Sequence, residues 1–128
     1  MLENAREWDF LTIMPYLAIS ASTELPEPRR RALLMEASKE IAAATGKPEQ
    51  YVMVKYQGGL ALAFAGSDAP AAFLEVKSIG FANGAVAKLA QSLCGLVMKH
   101  LGVPANRTYI VFQDVAPSMW GFDGGTFG

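Results

Sequence analysis

The sequence predicts a two-layer α/β (α+β) domain of two β-α-β half-repeats, one sheet carrying both helices on one face. Three observations predict it. The segments "ATGKPEQYVMVKYQ" (44–57) and "HLGVPANRTYIVFQ" (100–113) repeat one plan: a helix stop at glycine, a proline two residues on, then a β-rich run led by tyrosine. The two stops, Gly46 and Gly102, stand roughly 56 residues apart, a period that marks an internal repeat. Apolar residues upstream of each stop recur at helical spacing, and a strand candidate precedes each helix.

In chain order, "YLAISAS" (16–22) reads as the first strand. The first helix follows, with Pro28 at its first position, where a missing N–H is harmless. Leu33, Ala37, Ile41 and Ala44 form its apolar face, and Gly46 with Pro48 ends it, since glycine accepts a left-handed backbone and proline cannot continue the helix. The run led by Tyr51 is the next strand, and "GGLALAFAG" (58–66) alternates like a short extra strand after a Gly-Gly turn. "AFLEVKSIG" (72–80) opens the second half. Asn83-Gly84 reads as a helix N-cap. Val86, Leu89, Ala90, Leu93, Leu96, Val97 and Leu101 then share one helix face. Strands joined by crossover helices are parallel neighbours. One sheet with both helices on one side leaves its other face bare, and that face is expected to be apolar and to pack against further subunits.

Composition supports association. With glycine counted and tyrosine left out, about 58% of the 128 residues are apolar, above the usual ~45–50%. No run approaches the roughly 18 uncharged apolar residues that a membrane span requires. The net charge of −1 gives no bulk attraction to nucleic acid or anionic lipid. One cysteine, Cys94, excludes an internal disulfide and a cysteine-based metal cluster, and on the apolar helix it reads as a small core residue. Glu3, Arg6, Glu7 and Asp9 interrupt any signal-peptide core, so the expected compartment is the cytoplasm. His100 and the "RRR" run (29–31) read as solvated helix-end groups, with no carboxylate pattern around the histidine.

The remaining motifs lie collinearly from Met14 to Gly128: "MPYLAIS", "TGKPEQYV", "EVKSIG", "LCGL", "NRTYIVFQD" and "WGFDGGTFG". Together they resemble the macrophage migration inhibitory factor family of the tautomerase superfamily. The resemblance implies a β-α-β-β-α-β protomer with a four-stranded mixed sheet, three of which form a ring with their sheets lining the centre. It also implies cofactor-free keto–enol tautomerase activity on small aromatic 2-oxo acids such as phenylpyruvate, without metal. Residues 14–128 are then the domain, and residues 1–13 an extension expected to arise from a start codon read too early. The proline after Met14 explains itself in this frame. An N-terminal proline is a secondary amine whose lone pair accepts a proton, and burial holds it neutral. Acylated by a preceding residue, the same nitrogen is an inert amide.

The other roles follow the motifs. The resemblance gives Pro15 the general base, Lys47 the substrate carboxylate, and Ile79 a backbone N–H to the same group. Tyr109 is implied to come from a neighbouring subunit, while Tyr51, Phe122 and Phe127 line the mouth or wall. Val111 departs from the pattern: the family's well-known members have an asparagine there, so a donor to the substrate carbonyl is lost. Ala71 and Leu74 stand where some animal members have a Cys-x-x-Cys pair, which removes any basis for thiol chemistry. Trp120 replaces a smaller apolar residue and Phe122 a tryptophan, so the mouth is rebuilt. The alternative expectation is a catalytically silent trimeric binding or cytokine-like protein, its Pro15 acylated by the extension, with secretion without a signal peptide as its alternative location.

Overall fold

The computed structural model describes residues 14–128. The extension, residues 1–13, lies outside the described residues. The element order is β1 (Tyr16–Ala21), α1 (Glu27–Thr45), β2 (Met53–Gln57), β3 (Ala72–Ser78), α2 (Ala85–Leu101) and β4 (Thr108–Asp114). A two-stranded hairpin, β5 (Gly121–Phe122) and β6 (Gly125–Thr126), follows. The main sheet runs β2-β1-β3-β4. Each half-repeat forms a parallel pair, β1 with β2 and β3 with β4, as its crossover helix requires. The halves join antiparallel along β1 and β3, which makes the four-stranded sheet mixed.

Both helices end as the sequence predicts. Gly46 (φ 71°) and Gly102 (φ 68°) are left-handed and donate their N–H groups to Ala42 and Met98. The start of α1 differs from expectation: Pro26 caps it, which puts Pro28 in the second position rather than the first. The start of α2 falls in the expected Asn83-Gly84 pair, with Gly84 (φ 80°) as the cap and backbone bonds from Ala85 to Ala82 and from Lys88 to Gly84 closing the turn.

The core forms where the two helices cover one sheet face. Leu33, Ala37 and Ile41 of α1 and Leu89, Leu93, Leu96, Val97 and Leu101 of α2 meet Leu17, Ile19, Leu74 and Val76 of the sheet. Val86 stands outside this stripe, and Cys94 is half-buried rather than a core residue. Strand alternation sends Tyr16, Ala18, Ser20, Met53, Lys55 and Gln57 to the opposite face of β1 and β2, and Phe73, Glu75, Lys77, Tyr109, Val111 and Gln113 to that face of β3 and β4. That face is therefore not the apolar surface expected: charged and amide groups interleave with exposed Met53, Phe73, Tyr109 and Val111.

Residues 58–66 do not form the extra strand. Gly59 and Leu60 extend the end of β1 through bonds to Thr23 and Ala21, and a tight turn then joins Phe64 to Ser67. The Arg107 guanidinium donates to the Phe64 carbonyl in this loop and to Ser67, Ala69 and Pro70 just after it, at 2.8–3.2 Å. His100 has a carboxylate after all. Its Nε2 lies 2.8 Å from Glu36, across the helix pair, and Lys99 donates to the same group. Those two bonds, His100 first, hold the Glu36 carboxyl below the usual carboxylate range.

Ser78 ends β3 facing the core, fully buried, and its hydroxyl has no partner among the described residues. A buried unsatisfied hydroxyl costs about 1–3 kcal/mol. Ser78→Ala is therefore expected to raise stability by about 1 kcal/mol. A fall in thermal midpoint for this variant would mean that the hydroxyl is bonded in solution. No helix of the described residues is long and apolar enough to cross a membrane.

Candidate active site

A cleft of about 650 Å³ opens at the end of the sheet where β1 begins. Register builds its floor. Met53 of β2 pairs with Tyr16 of β1, Tyr16 with Lys77 of β3, and Lys77 with Gln113 of β4, so one row of side chains crosses all four strands. All four line the cleft. The turn from α1 to β2 (Glu49–Tyr51) supplies Gln50 and Tyr51 as one wall, and the C-terminal segment supplies Met119, Trp120 and Phe122 as the other.

Pro15 lies in this cleft, fully buried, directly ahead of β1. Its carbonyl accepts a bond from the Met53 N–H at 3.2 Å, which ties it to the first rung of the β1–β2 ladder. Met14 is buried beside it and also lines the cleft. With Met14 attached, the Pro15 nitrogen is a tertiary amide that neither donates nor accepts a proton.

The structure brings Pro15, Tyr51 and Phe122 together. Trp120, expected at a rebuilt mouth, joins them. Phe127 is outside the lining but stacks on Phe122, ring centroids 5.9 Å apart and planes 10° from parallel, and so backs that wall. Lys47 follows the α1 stop, its N–H bonded to Ala42, and is not part of the protomer's lining. Ile79 is buried just past β3 and is likewise outside it.

Tyr109 and Val111 lie on the open sheet face, 62% and 50% exposed, outside the lining of their own protomer's cleft. Tyr109 packs on Phe64 with ring centroids 4.8 Å apart, and the Arg107 guanidinium lies 5.2 Å from the Phe64 ring. That pairing positions Tyr109 on the exposed face.

Sequence reasoning missed Lys77 and Gln113. Lys77 sits inside the quoted "EVKSIG" motif, two residues before Ile79, and strand alternation alone would have placed it on the face opposite the core. Among the described residues no group of three or more histidine, cysteine or carboxylate side chains could hold a metal.

Two parallel β-α-β halves joined in one mixed sheet, with a proline set into a cleft at the head of the first strand, define a tautomerase-like fold. The family model for macrophage migration inhibitory factor matches residues 14–128. A macrophage migration inhibitory factor homolog of Brugia malayi is 41% identical over 117 residues, which take in 90% of this chain and all of that one. Among solved structures, a homologue from Prochlorococcus marinus superposes with a TM-score of 0.84 at 39% identity, covering 88% of this chain and 99% of its own. The Toxoplasma gondii protein gives 0.81 at 37% identity, covering 87% and 98%. The chain belongs to the macrophage migration inhibitory factor family. Membership supports a function of the tautomerase-superfamily type.

Proposed function

We propose that this protein is a cofactor-free keto–enol tautomerase of small aromatic 2-oxo acids, with the amine of Pro15 as general base. The observation that carries the reading is the place of Pro15: buried at the head of β1, in a cleft walled by Tyr51, Trp120 and Phe122. The aromatic walls suit a phenyl ring, and burial disfavours the protonated amine, keeping a free base available near neutral pH. The neutral amine takes a proton from the carbon beside the ketone, leaving an enolate. The resulting ammonium then returns that proton to the enolate oxygen, and the reverse sequence restores the ketone. Proton and charge balance without any other reagent.

The working form is a ring of three protomers packed through their open sheet faces, with Tyr109 presented to the next subunit's cleft. The exposed Met53, Phe73, Tyr109 and Val111 support that packing.

The second reading, a binding protein without chemistry, is favoured by one observation. Met14 is joined to the Pro15 nitrogen and buried against the cleft. One comparison separates the two. Translation begun at Met14, followed by removal of that methionine, yields a chain with a free Pro15; the core cluster between the helices and the sheet is retained, and the Brugia malayi relative is matched along its whole length by 90% of this chain. The freed chain is expected to tautomerise phenylpyruvate and the full chain to be inert. A freed chain without activity, or a full chain equally active, would overturn the proposal.

A further inference from the structure

We infer that Arg107 is a positioning residue for the neighbouring subunit's site. Through Phe64 it fixes the ring of Tyr109, which the proposed ring of three presents to the next cleft, so the assignment rests on the reading just given. Tyr109 needs such a support. Its backbone is fixed, since β3 and β4 pair it with Phe73, but the side chain stands 62% exposed on the open sheet face. A side chain that exposed hops between staggered rotamers unless something packs against it. The Phe64 ring does so, with centroids 4.8 Å apart and planes tilted by 52°, a spacing that favours an aromatic pair.

Phe64 in turn belongs to a loop, and loops are ordinarily the mobile parts of a fold. This one is anchored. Phe64 and Ser67 exchange backbone bonds of 2.9 and 3.0 Å, and the Ser67 hydroxyl accepts the Ala69 N–H at 3.0 Å. Arg107 then fastens the turn to the start of β4. Its Nε donates to the Pro70 carbonyl, Nη1 to that of Phe64 and Nη2 to those of Ser67 and Ala69, while the guanidinium lies 5.2 Å from the Phe64 ring centroid. A planar fork of donors that also stacks on rings suits this task, whereas a lysine ammonium is a single point of charge. Arg107 ends the turn Ala105–Arg107, two residues ahead of Tyr109, so clamp and tyrosine are set by the same stretch of chain. Arg107, Phe64 and Tyr109 all lie outside the lining of their own protomer's cleft, so a ligand contact made by Tyr109 is made in another subunit's cleft.

The test uses the chain that begins at Pro15. Arg107→Met and Phe64→Leu are each expected to raise KM for phenylpyruvate about tenfold with kcat within about threefold, because a ligand contact is lost and the base is not. The rising limb of the pH profile is expected to stay in place, since the Pro15 amine and its burial are unaltered. Phe64→Leu keeps the Arg107 bonds and carries the test if Arg107→Met does not fold. Mixed assemblies give the sharper readout, because each site draws its amine from one chain and its tyrosine from the next. Either variant, unfolded and refolded with an equal amount of Pro15→Gly chains, is expected to restore about a quarter of the parent kcat/KM, well above the average of the two components. The assignment is overturned if either folded variant leaves KM within about twofold of the parent, or if the mixture shows no more than that average. Its failure is distinct from failure of the tautomerase reading. If the parent chain is inert, its calorimetric affinity for phenylpyruvate takes the place of KM, and binding about tenfold weaker in both variants supports Arg107 while the catalytic reading falls. A parent that turns phenylpyruvate over with a KM that neither variant moves sinks only this assignment.

Discussion

In the chain that begins at Pro15, replacing that residue with glycine is expected to lower kcat/KM for phenylpyruvate by about 10²–10⁴-fold, the range that a positioned general base contributes. Glycine keeps an α-amine and the start of the chain. It loses the ring that fixes the nitrogen's orientation and packs it into the cleft. The pH profile distinguishes loss of the base from loss of fold. The neutral amine is the active form, so kcat/KM in the parent must rise with pH through the amine's pKa and then level off. Burial moves that limb down towards neutrality. The glycine variant is expected to lose the limb in the neutral range while keeping its thermal midpoint. Activity within about threefold of the parent would remove Pro15 from the chemistry, since that is far below what a base contributes.

Leu74→Ala is expected to destabilise the domain by about 2–5 kcal/mol, the range for a buried leucine truncated in a well-packed core. Leu74 is fully buried at the middle of β3, paired in register with Ile19 of β1 and Ile110 of β4, and so lies at the seam between the half-repeats. Few neighbours can move to fill the space, because strands fix the backbone on both sides. With a denaturant dependence of about 2 kcal/mol per molar urea, the midpoint should fall by about 1–2.5 M without a change in slope. For a domain whose total stability is about 5–15 kcal/mol, that is a large share. A shift under about 0.3 M would mean that the seam repacks freely, contrary to the close packing of interiors.

Much of this architecture was legible without coordinates because the signals are local. Gly46-x-Pro48 and Gly102-x-Pro104 end helices through backbone sterics that no distant contact can reverse, and the repeat they mark carries the β-α-β plan with it. The heptad-like faces of both helices are read from spacing alone, and the core residues follow from them. Met14-Pro15 is likewise a local signal, and it led to the residue that the cleft encloses.

Where local pattern misled, a distant partner decided. Residues 58–66 alternate as a strand should, yet they form a loop, tied at Phe64 to Arg107, some forty residues away in sequence. His100 met its carboxylate only because α1 and α2 pack side by side.

The sequence by itself determined the two half-repeats, the helix ends, the apolar faces and the proline that heads the first strand, since each is set by residues within a few positions of one another. Only the tertiary structure decided the floor of the site. Met53, Tyr16, Lys77 and Gln113 come from four separate strands, and their alignment depends on the β2-β1-β3-β4 order and on the antiparallel join between the halves. Strand register is a long-range property, fixed when the buried faces of all four strands pack against two helices at once, and a shift of one residue would turn Lys77 into the core.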